Sequence, residues 1–530
     1  MADYVVRAQI RTMDVHAPLA RSLAVRDGLV QATSPDPHGL DELIGPDTQL
    51  IDGHAVLPAF TDTHNHLLFA ARNARAVPVS RAGSVAEFVD LVAERAARTP
   101  AGEWVRTATD WHELRLAERR LPTAAELDRA SATLPVIAMR GGHNAVFNSV
   151  ALGVVGFGRD TPDVPGGFIA RDAEGQPTGW LQDAALDEAL LRVPALAEDE
   201  VVAGFAEASA AYAAVGIGTV RDPAISAADW PAYRRAEAEG GLSVRSRPMV
   251  LTTKAALARF GGGTPDGFFD YLAAQGIAPG AGSELVRVWG LKLILDGGVE
   301  AAALTEPYAG RPDFDGELLW QPDELVELLG AAGRRGWPVG VHAFGDRSVA
   351  VALDAFAEVG SDGPALVLEH GGLIGAADRA RAAASGVHVT VQQPLLHALA
   401  GALSVEWGPA RTGALFPFRE LVAAGVSISA GSDHPIGPLN PLLAVHGMVS
   451  RQTPAGVFGP EHGIDRETAL RLYTATAAEL LGHGHSGRLV PGAPADLVGY
   501  SVDPVSCELD QLPELRPMFT LCGGRPTHLG

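Results

Sequence analysis

Two histidines one residue apart, His64 and His66, close the segment Asp62-Thr63-His64-Asn65-His66 that follows the apolar run 55–60. In an extended strand, residues two apart share a face, so these imidazoles stand side by side, about 6–7 Å apart at the backbone. Neutral imidazole is a ligand for zinc and related divalent ions, and a strand end opening onto a pocket is where a catalytic ion has to sit. Lys292 is the second unusual residue. Of the 41 basic residues only Lys254 and Lys292 are lysines. Lys292 lies in the otherwise apolar run 286–295, where a desolvated amine can lose its proton and act as a nucleophile, toward carbon dioxide among others. Arginine stays charged in the same place. The structural alternative, a strand lysine reaching for the rim, remains open from the sequence alone.

These groups need a scaffold that brings them together. Between about residues 200 and 435 a local pattern recurs: an Ala/Leu-rich amphipathic segment, a glycine, then a short β-branched run, as in Arg334-Arg335-Gly336-Trp337-Pro338-Val339 and Ala384-Ser385-Gly386-Val387-His388-Val389. Glycine just past a helix end is a C-cap, and the run after it reads as a parallel strand buried on both faces. Candidate strands fall near 57–63, 217–222, 244–251, 286–295, 338–342, 365–370, 387–392 and 426–430. Eight such βα units predict an α/β fold, a closed (β/α)8 barrel. Ser84 with Glu87 predicts a capping box opening a helix toward Arg98, and Pro322 starts another helix that stops at Gly336. The stretch 100–200 breaks the rhythm and is expected as an insertion over the barrel mouth. Residues 4–55 and 486–529 hold short strands with turns such as Asp27-Gly28, and are expected to pair as a small β-sandwich made by both chain ends. The resulting organisation is 1–56 and 485–530 for the sandwich and 57–484 for the barrel.

In a parallel barrel the C-terminal strand ends converge on one cavity. That places His64 and His66 on the first strand, Lys292 on the fourth, His342 on the fifth, His370 on the sixth and Asp433 after the eighth. Each of the later groups has an ordinary reading by itself: a satisfied core histidine, a strand-closing histidine with Glu369 facing the other way, a turn aspartate. Asp346 reads as a helix N-cap. Their joint position at the appropriate strand ends favours a metal-binding cup with nitrogen and oxygen ligands. Asp110, Trp111 and Arg140 stand where they could line the lid.

Composition narrows the function classes. With 63 acidic against 41 basic residues, a net charge of −22 argues against a nucleic-acid partner. The two cysteines, Cys507 and Cys522, cannot build a disulfide framework or a thiolate metal site. No basic leader followed by an apolar stretch, and no apolar run of membrane length, stands in the sequence, so a soluble cytoplasmic protein acting on a small molecule is expected. A homo-oligomer is compatible with all of this.

The ordered motifs resemble the amidohydrolase superfamily, and in particular its family 3 branch, which includes the N-substituted formamide deformylases. They are Asp62 to His66, Gly142-His143-Asn144-Ala145-Val146-Phe147-Asn148-Ser149, Leu291-Lys292 with Asp296-Gly297-Gly298, His342 to Arg347, Glu369-His370, Gly431-Ser432-Asp433, Gly487 to Gly492, and Ala495-Asp496-Leu497. The resemblance implies one or two divalent ions, zinc being expected. His64 and His66 would hold one ion and His342 and His370 the other, with a carbamylated Lys292 bridging. Asp433 would be both a metal ligand and the proton acceptor for the attacking water. His143 is assigned to substrate or oxyanion binding, or to a structural contact within the insertion. His434 stands where a small residue is common and is assigned to substrate contact or to support behind the ligands. Ala59-Phe60 replaces the usual Gly-Phe. The implied activity is hydrolysis of a C–N bond in an amide, N-substituted formamide or carbamate-like compound. A deaminase-like hydrolase with one ion and an unmodified Lys292, and a catalytically silent barrel acting as a scaffold, are the competing expectations.

Overall fold

The computed structural model of the protein describes residues 1–360, 362–482 and 486–530. All eight expected barrel strands form: β1 (Phe60–Asp62), β2 (Ile217–Ile225), β3 (Arg245–Leu251), β4 (Gly290–Ile294), β5 (Val339–Ala343), β6 (Leu366–His370), β7 (His388–Val391) and β8 (Ser427–Ala430). They pair in parallel in sequence order. At the seam between β1 and β8, Thr63 N–H donates to Ala430 O at 3.2 Å and Asp433 N–H donates to His64 O at 2.8 Å. The α/β barrel class is therefore as read from the βα rhythm.

The rhythm has a simple local origin. The helix Pro322–Arg334 starts on a proline at its first turn, buries Leu325, Leu328 and Leu329, and is followed by Gly336 in the left-handed region at φ 76°. The helix Ala376–Ser385 ends the same way on Gly386, φ 67°. The strands after them face helices on one side and the barrel interior on the other, so Leu291, Leu293, Val341, Leu368 and Val389 are fully buried. Each such side chain stabilises the fold by about 1.5–3 kcal/mol before chain entropy is counted.

Three expectations change in detail. The first strand, expected over 57–63, is divided: Gln49–Pro58 belongs to another sheet and only Phe60–Asp62 enters the barrel. The backbone changes partners there, Ala59 N–H bonding Asp496 O and Phe60 N–H bonding Gly216 O. The two chain ends do pair, but in one continuous seven-stranded sheet rather than a two-sheet sandwich. Gln49–Pro58 lies parallel to Tyr4–Arg11 on one side and antiparallel to Leu497–Tyr500 on the other, so the C-terminal strands extend the N-terminal sheet. That sheet returns on itself where Val30 N–H bonds Ala493 O. The expected boundary at 484/485 falls outside the described residues. At the helix Val85–Ala96, Ser84 accepts the Glu87 N–H as expected, while the Glu87 carboxylate takes the Gly83 N–H instead of that of Ser84.

Between β1 and β2 the chain builds a further, five-stranded sheet from Val105–Arg106, Val136–Arg140, Asn144–Phe147, Gly167–Arg171 and Pro177–Asp183. Its turns at 109–115 and 140–143 form the outer wall of the cavity at the barrel mouth. Among the described residues no helix is long and apolar enough to cross a membrane.

Candidate active site

His64, His66, Lys292, His342, His370 and Asp433 all line one cavity of about 130 Å3 at the C-terminal ends of the strands, and His143 reaches it from the lid. The tightest group is His64, His66 and Asp433, whose ligand atoms lie within 4.8 Å of one another. Asp433 Oδ1 is 3.0 Å from His66 Nε2 and 3.5 Å from His64 Nε2, yet it is buried with no hydrogen bond of acceptable geometry. Converging donors that do not bond to each other are what a cation requires, so this set fits a divalent ion. Burial opposes ionisation of Asp433, but His66, His64 and Lys292 outweigh it and hold its carboxyl well below the usual range.

Neighbouring groups orient the imidazoles. His64 Nδ1–H donates to Glu369 Oε2 at 2.6 Å, which leaves Nε2 for a ligand. His370 Nδ1–H donates to Gln392 Oε1 at 2.8 Å and likewise frees Nε2. His342 is different: its Nε2 lies 3.3 Å from Gly297 O and 3.4 Å from Asp296 Oδ1, which leaves Nδ1. Hydrogen bonds of this kind fix tautomer and ring orientation in metal sites. Burial keeps all three rings neutral: His64 is lowered to about 4, and His342 and His370 lie well below the ordinary value. His66 stacks on Phe69 with ring centroids 4.9 Å apart.

Lys292 is 3% exposed. Burial brings its amine down to about 8, with Glu369 and Asp433 acting in the opposite direction and Arg221 reinforcing the fall. A substantial neutral fraction near physiological pH is the condition for forming a carbamate.

Beneath the cup lies an ion pair that sequence reading missed. Glu369 and Arg221 are both 0% exposed and meet at 2.5 Å. Arg221 also donates to Thr63 O and lies over the Trp289 ring. Glu369 was expected to face away from the site, because neighbours on a strand alternate. It does point into the barrel, but His370 adopts φ 72°, so the backbone leaves strand geometry there and both side chains serve the site. Gly340 makes the room, since a Cβ at that position would meet Glu369 Oε1 at 2.2 Å. An arginine inside the apolar run Ile217-Gly218-Thr219-Val220-Arg221 was the available signal.

Two further aspartates shape the loops. Asp62 accepts Ser432 N–H at 3.0 Å and His64 N–H at 3.3 Å, joining the first ligand loop to the last; burial raises its carboxyl to about 6. Asp296 accepts the N–H groups of Phe344, Gly345 and Ala303 and the Ser348 hydroxyl. Asp346, expected as the N-cap, instead follows the actual N-cap, Gly345, and accepts Thr305 N–H.

His143 Nδ1 meets Asp183 Oδ1 at 2.8 Å, and its ring centroid lies 5.3 Å from that of His342. Although burial opposes it, Asp183 raises the affinity of His143 for a proton. His434 is not brought into the cavity wall: its Nδ1 bonds Gly437 O, its ring meets the edge of Tyr212, and its carbonyl accepts His66 N–H at 2.7 Å. It supports a ligand through its backbone. The remaining wall is mostly apolar, formed by Phe69, Trp111, Ile294, Val299, Leu399 and Ile436. Arg140 holds the lid across this wall to Glu113 at 2.8 Å and to Glu300, in the loop after β4, at 3.0 Å.

A parallel barrel whose mouth gathers four histidines, a buried lysine and an aspartate has the architecture and donor chemistry of a metal-dependent hydrolase. The sequence carries the assignment further: residues 51–528 match the profile described as the amidohydrolase family, and the chain belongs to that family. It is 28% identical to the N-substituted formamide deformylase of Arthrobacter pascens, over 98% of this chain and 97% of that protein. It is 27% identical to the putative amidohydrolase YtcJ of Bacillus subtilis (strain 168), over 97% of each. The fold is shared with an uncharacterized metal-dependent hydrolase from Pyrococcus furiosus, with a TM-score of 0.73 at 24% identity, covering 95% of this chain and 100% of the other.

Proposed function

We propose that the protein is a metal-dependent hydrolase of the C–N bond in an amide, N-substituted formamide or related carbonyl compound, splitting it with water into an acid and an amine. The observation that carries this reading is the convergence of His64, His66 and Asp433 around a point where Asp433 Oδ1 has no hydrogen bond. His64, His66, His342, His370 and Asp433 would hold the metal, zinc being our assignment, and Lys292 would join them as its carbamate in a two-ion form. The metal supplies acidification of water to a pKa of about 7 and polarisation of the carbonyl. Asp433, whose carboxyl is held well below the usual range, takes the proton from the attacking water and returns it to the leaving nitrogen. His143, steadied by Asp183, donates a hydrogen bond to the carbonyl oxygen as charge develops on it. The apolar walls bind the organic part of the substrate and exclude water. The relative from Arthrobacter pascens supports formamides as the first substrates to try.

The one-ion form, with Lys292 unmodified, has its own support: His64, His66 and Asp433 are the one compact group of His, Cys, Asp and Glu donors among the described residues. Metal analysis after incubation with bicarbonate separates the forms, since only the carbamylated protein takes up a second equivalent. For the activity, metal-loaded protein is assayed against amides, carbamates and N-substituted formamides by amine release. Hydrolysis of at least one class that chelation abolishes is expected. Full metal loading with no turnover of any class would instead indicate a scaffold protein.

A further inference from the structure

The lid presents to the cavity one carboxylate that no described residue pairs with, His434 being the one group whose charge it influences. Asp110 lies in the wall beside Trp111, and its carboxylate makes no hydrogen bond or ion pair with any described residue although Oδ1 is buried. The backbone there is pinned: Asn73 accepts Thr109 N–H at 3.1 Å, and Gly141 N–H donates to Thr109 O at 3.0 Å. Arg140 sits between Glu113 and Glu300, and Arg115 is exposed to solvent. His112 is neutral, since burial and then Arg140 lower its ring to about 4.

A partly desolvated carboxylate without a partner is unfavourable until a cation or N–H donor reaches it. The cavity wall it shares with Phe69, Trp111 and Ile436 offers apolar and aromatic surface suited to an alkyl chain ending in an ammonium group. The net charge of −22 raises the local concentration of cations around the whole molecule.

We propose that Asp110 is a specificity residue that selects substrates carrying a protonated amine away from the scissile bond, an inference that rests on the amide-hydrolase reading above. It touches the distal part of the substrate and leaves the chemistry to the strand-end groups. The test compares the monoformamide of hexamethylenediamine with the formamide of heptylamine, which has a methyl group in place of the ammonium. The wild-type protein is expected to favour the cationic compound in kcat/KM by about tenfold or more, a ratio set by KM, and Asp110→Asn is expected to bring the ratio close to one. Calorimetric binding of both formamides to metal-depleted protein, wild type and variant, reads the same preference without turnover. If neither compound is hydrolysed but the cationic one binds more tightly only to the wild type, the role of Asp110 stands and the formamide reading falls. Equal binding of the two compounds by the wild type, or a preference that Asp110→Asn leaves unchanged, overturns the proposal.

Discussion

The floor of the cavity and the lid over it are built in opposite ways. The floor takes its six groups from the ends of five barrel strands and rests them on Arg221 and Glu369, a pair with no exposure to solvent. The lid takes its groups from turns of the inserted sheet and is tied down by Arg140 between two partly exposed carboxylates. Position is over-determined in the floor, where backbone ladders, buried charge and hydrogen-bonded imidazoles all agree. In the lid the inserted sheet has its own ladders and apolar cores, but its cavity-facing turns are joined to the loop after β4 through polar contacts such as Arg140 with Glu300. On the proposed reading, chemistry needing sub-ångström placement would sit on the barrel strand ends and selectivity on the inserted turns.

The sharpest way to break this division is to remove a floor group that reacts. Asp433→Asn keeps the size of the side chain but not its ability to accept a proton, and turnover is expected to fall by about a thousandfold or more while the circular dichroism spectrum is retained. A rate within a few-fold of wild type would move the proton acceptor elsewhere, His143 being the next group in reach.

The support beneath should appear in stability. Glu369→Gln leaves the Arg221 guanidinium buried without a counter-charge and is expected to cost about 3–5 kcal/mol in denaturant unfolding. The double variant Arg221→Met, Glu369→Gln should recover part of that loss, because the stranded charge is gone. Equal losses in single and double variants would mean that packing, and not charge, dominates this layer.

Lys292 gives the comparison a pH dependence. Its folded pKa of about 8 lies below the ordinary lysine value, so the neutral amine grows as pH rises through 8 and is largely protonated below it. At fixed dissolved carbon dioxide, uptake of the second metal equivalent is expected to accelerate by about tenfold per pH unit below 8 and to level off above it. A flat profile would favour the one-ion form.

The smallest effect is expected in the lid. Arg140→Met removes the tie to Glu113 and Glu300, and KM should rise about three- to tenfold with kcat changed less, since the tie shapes the cavity wall and touches no reacting group. If kcat falls as far as in the Asp433 variant, the lid takes part in the chemistry and the division drawn above fails.

The same contrast explains what the sequence could and could not convey. Barrel strands are legible because each is a short buried run after a helix and its terminal glycine, and the six strand-end groups are legible because their order matches the strand order. Glu369 was misread because strand alternation stops at His370, whose positive φ no residue pattern announces. Asp346 is not the N-cap because the loop before its helix is held by a non-local contact, the Asp296 carboxylate at the neighbouring strand end accepting Phe344 and Gly345 N–H. The single sheet at the chain ends depends on Gln49–Pro58 pairing on both edges, and strand composition does not encode pairing order. His434 invited a functional reading by its place after Asp433, yet its side chain turns to Tyr212 and only its carbonyl serves the site.

The most direct measurement is an anomalous-scattering map at the zinc absorption edge from crystals of the zinc-loaded protein. A peak bounded by His64 Nε2, His66 Nε2 and the Asp433 carboxylate is expected, with a second peak near His342 and His370 when Lys292 carries carbon dioxide. Zinc bound elsewhere, with these side chains unchanged and no density between them, would contradict this expectation.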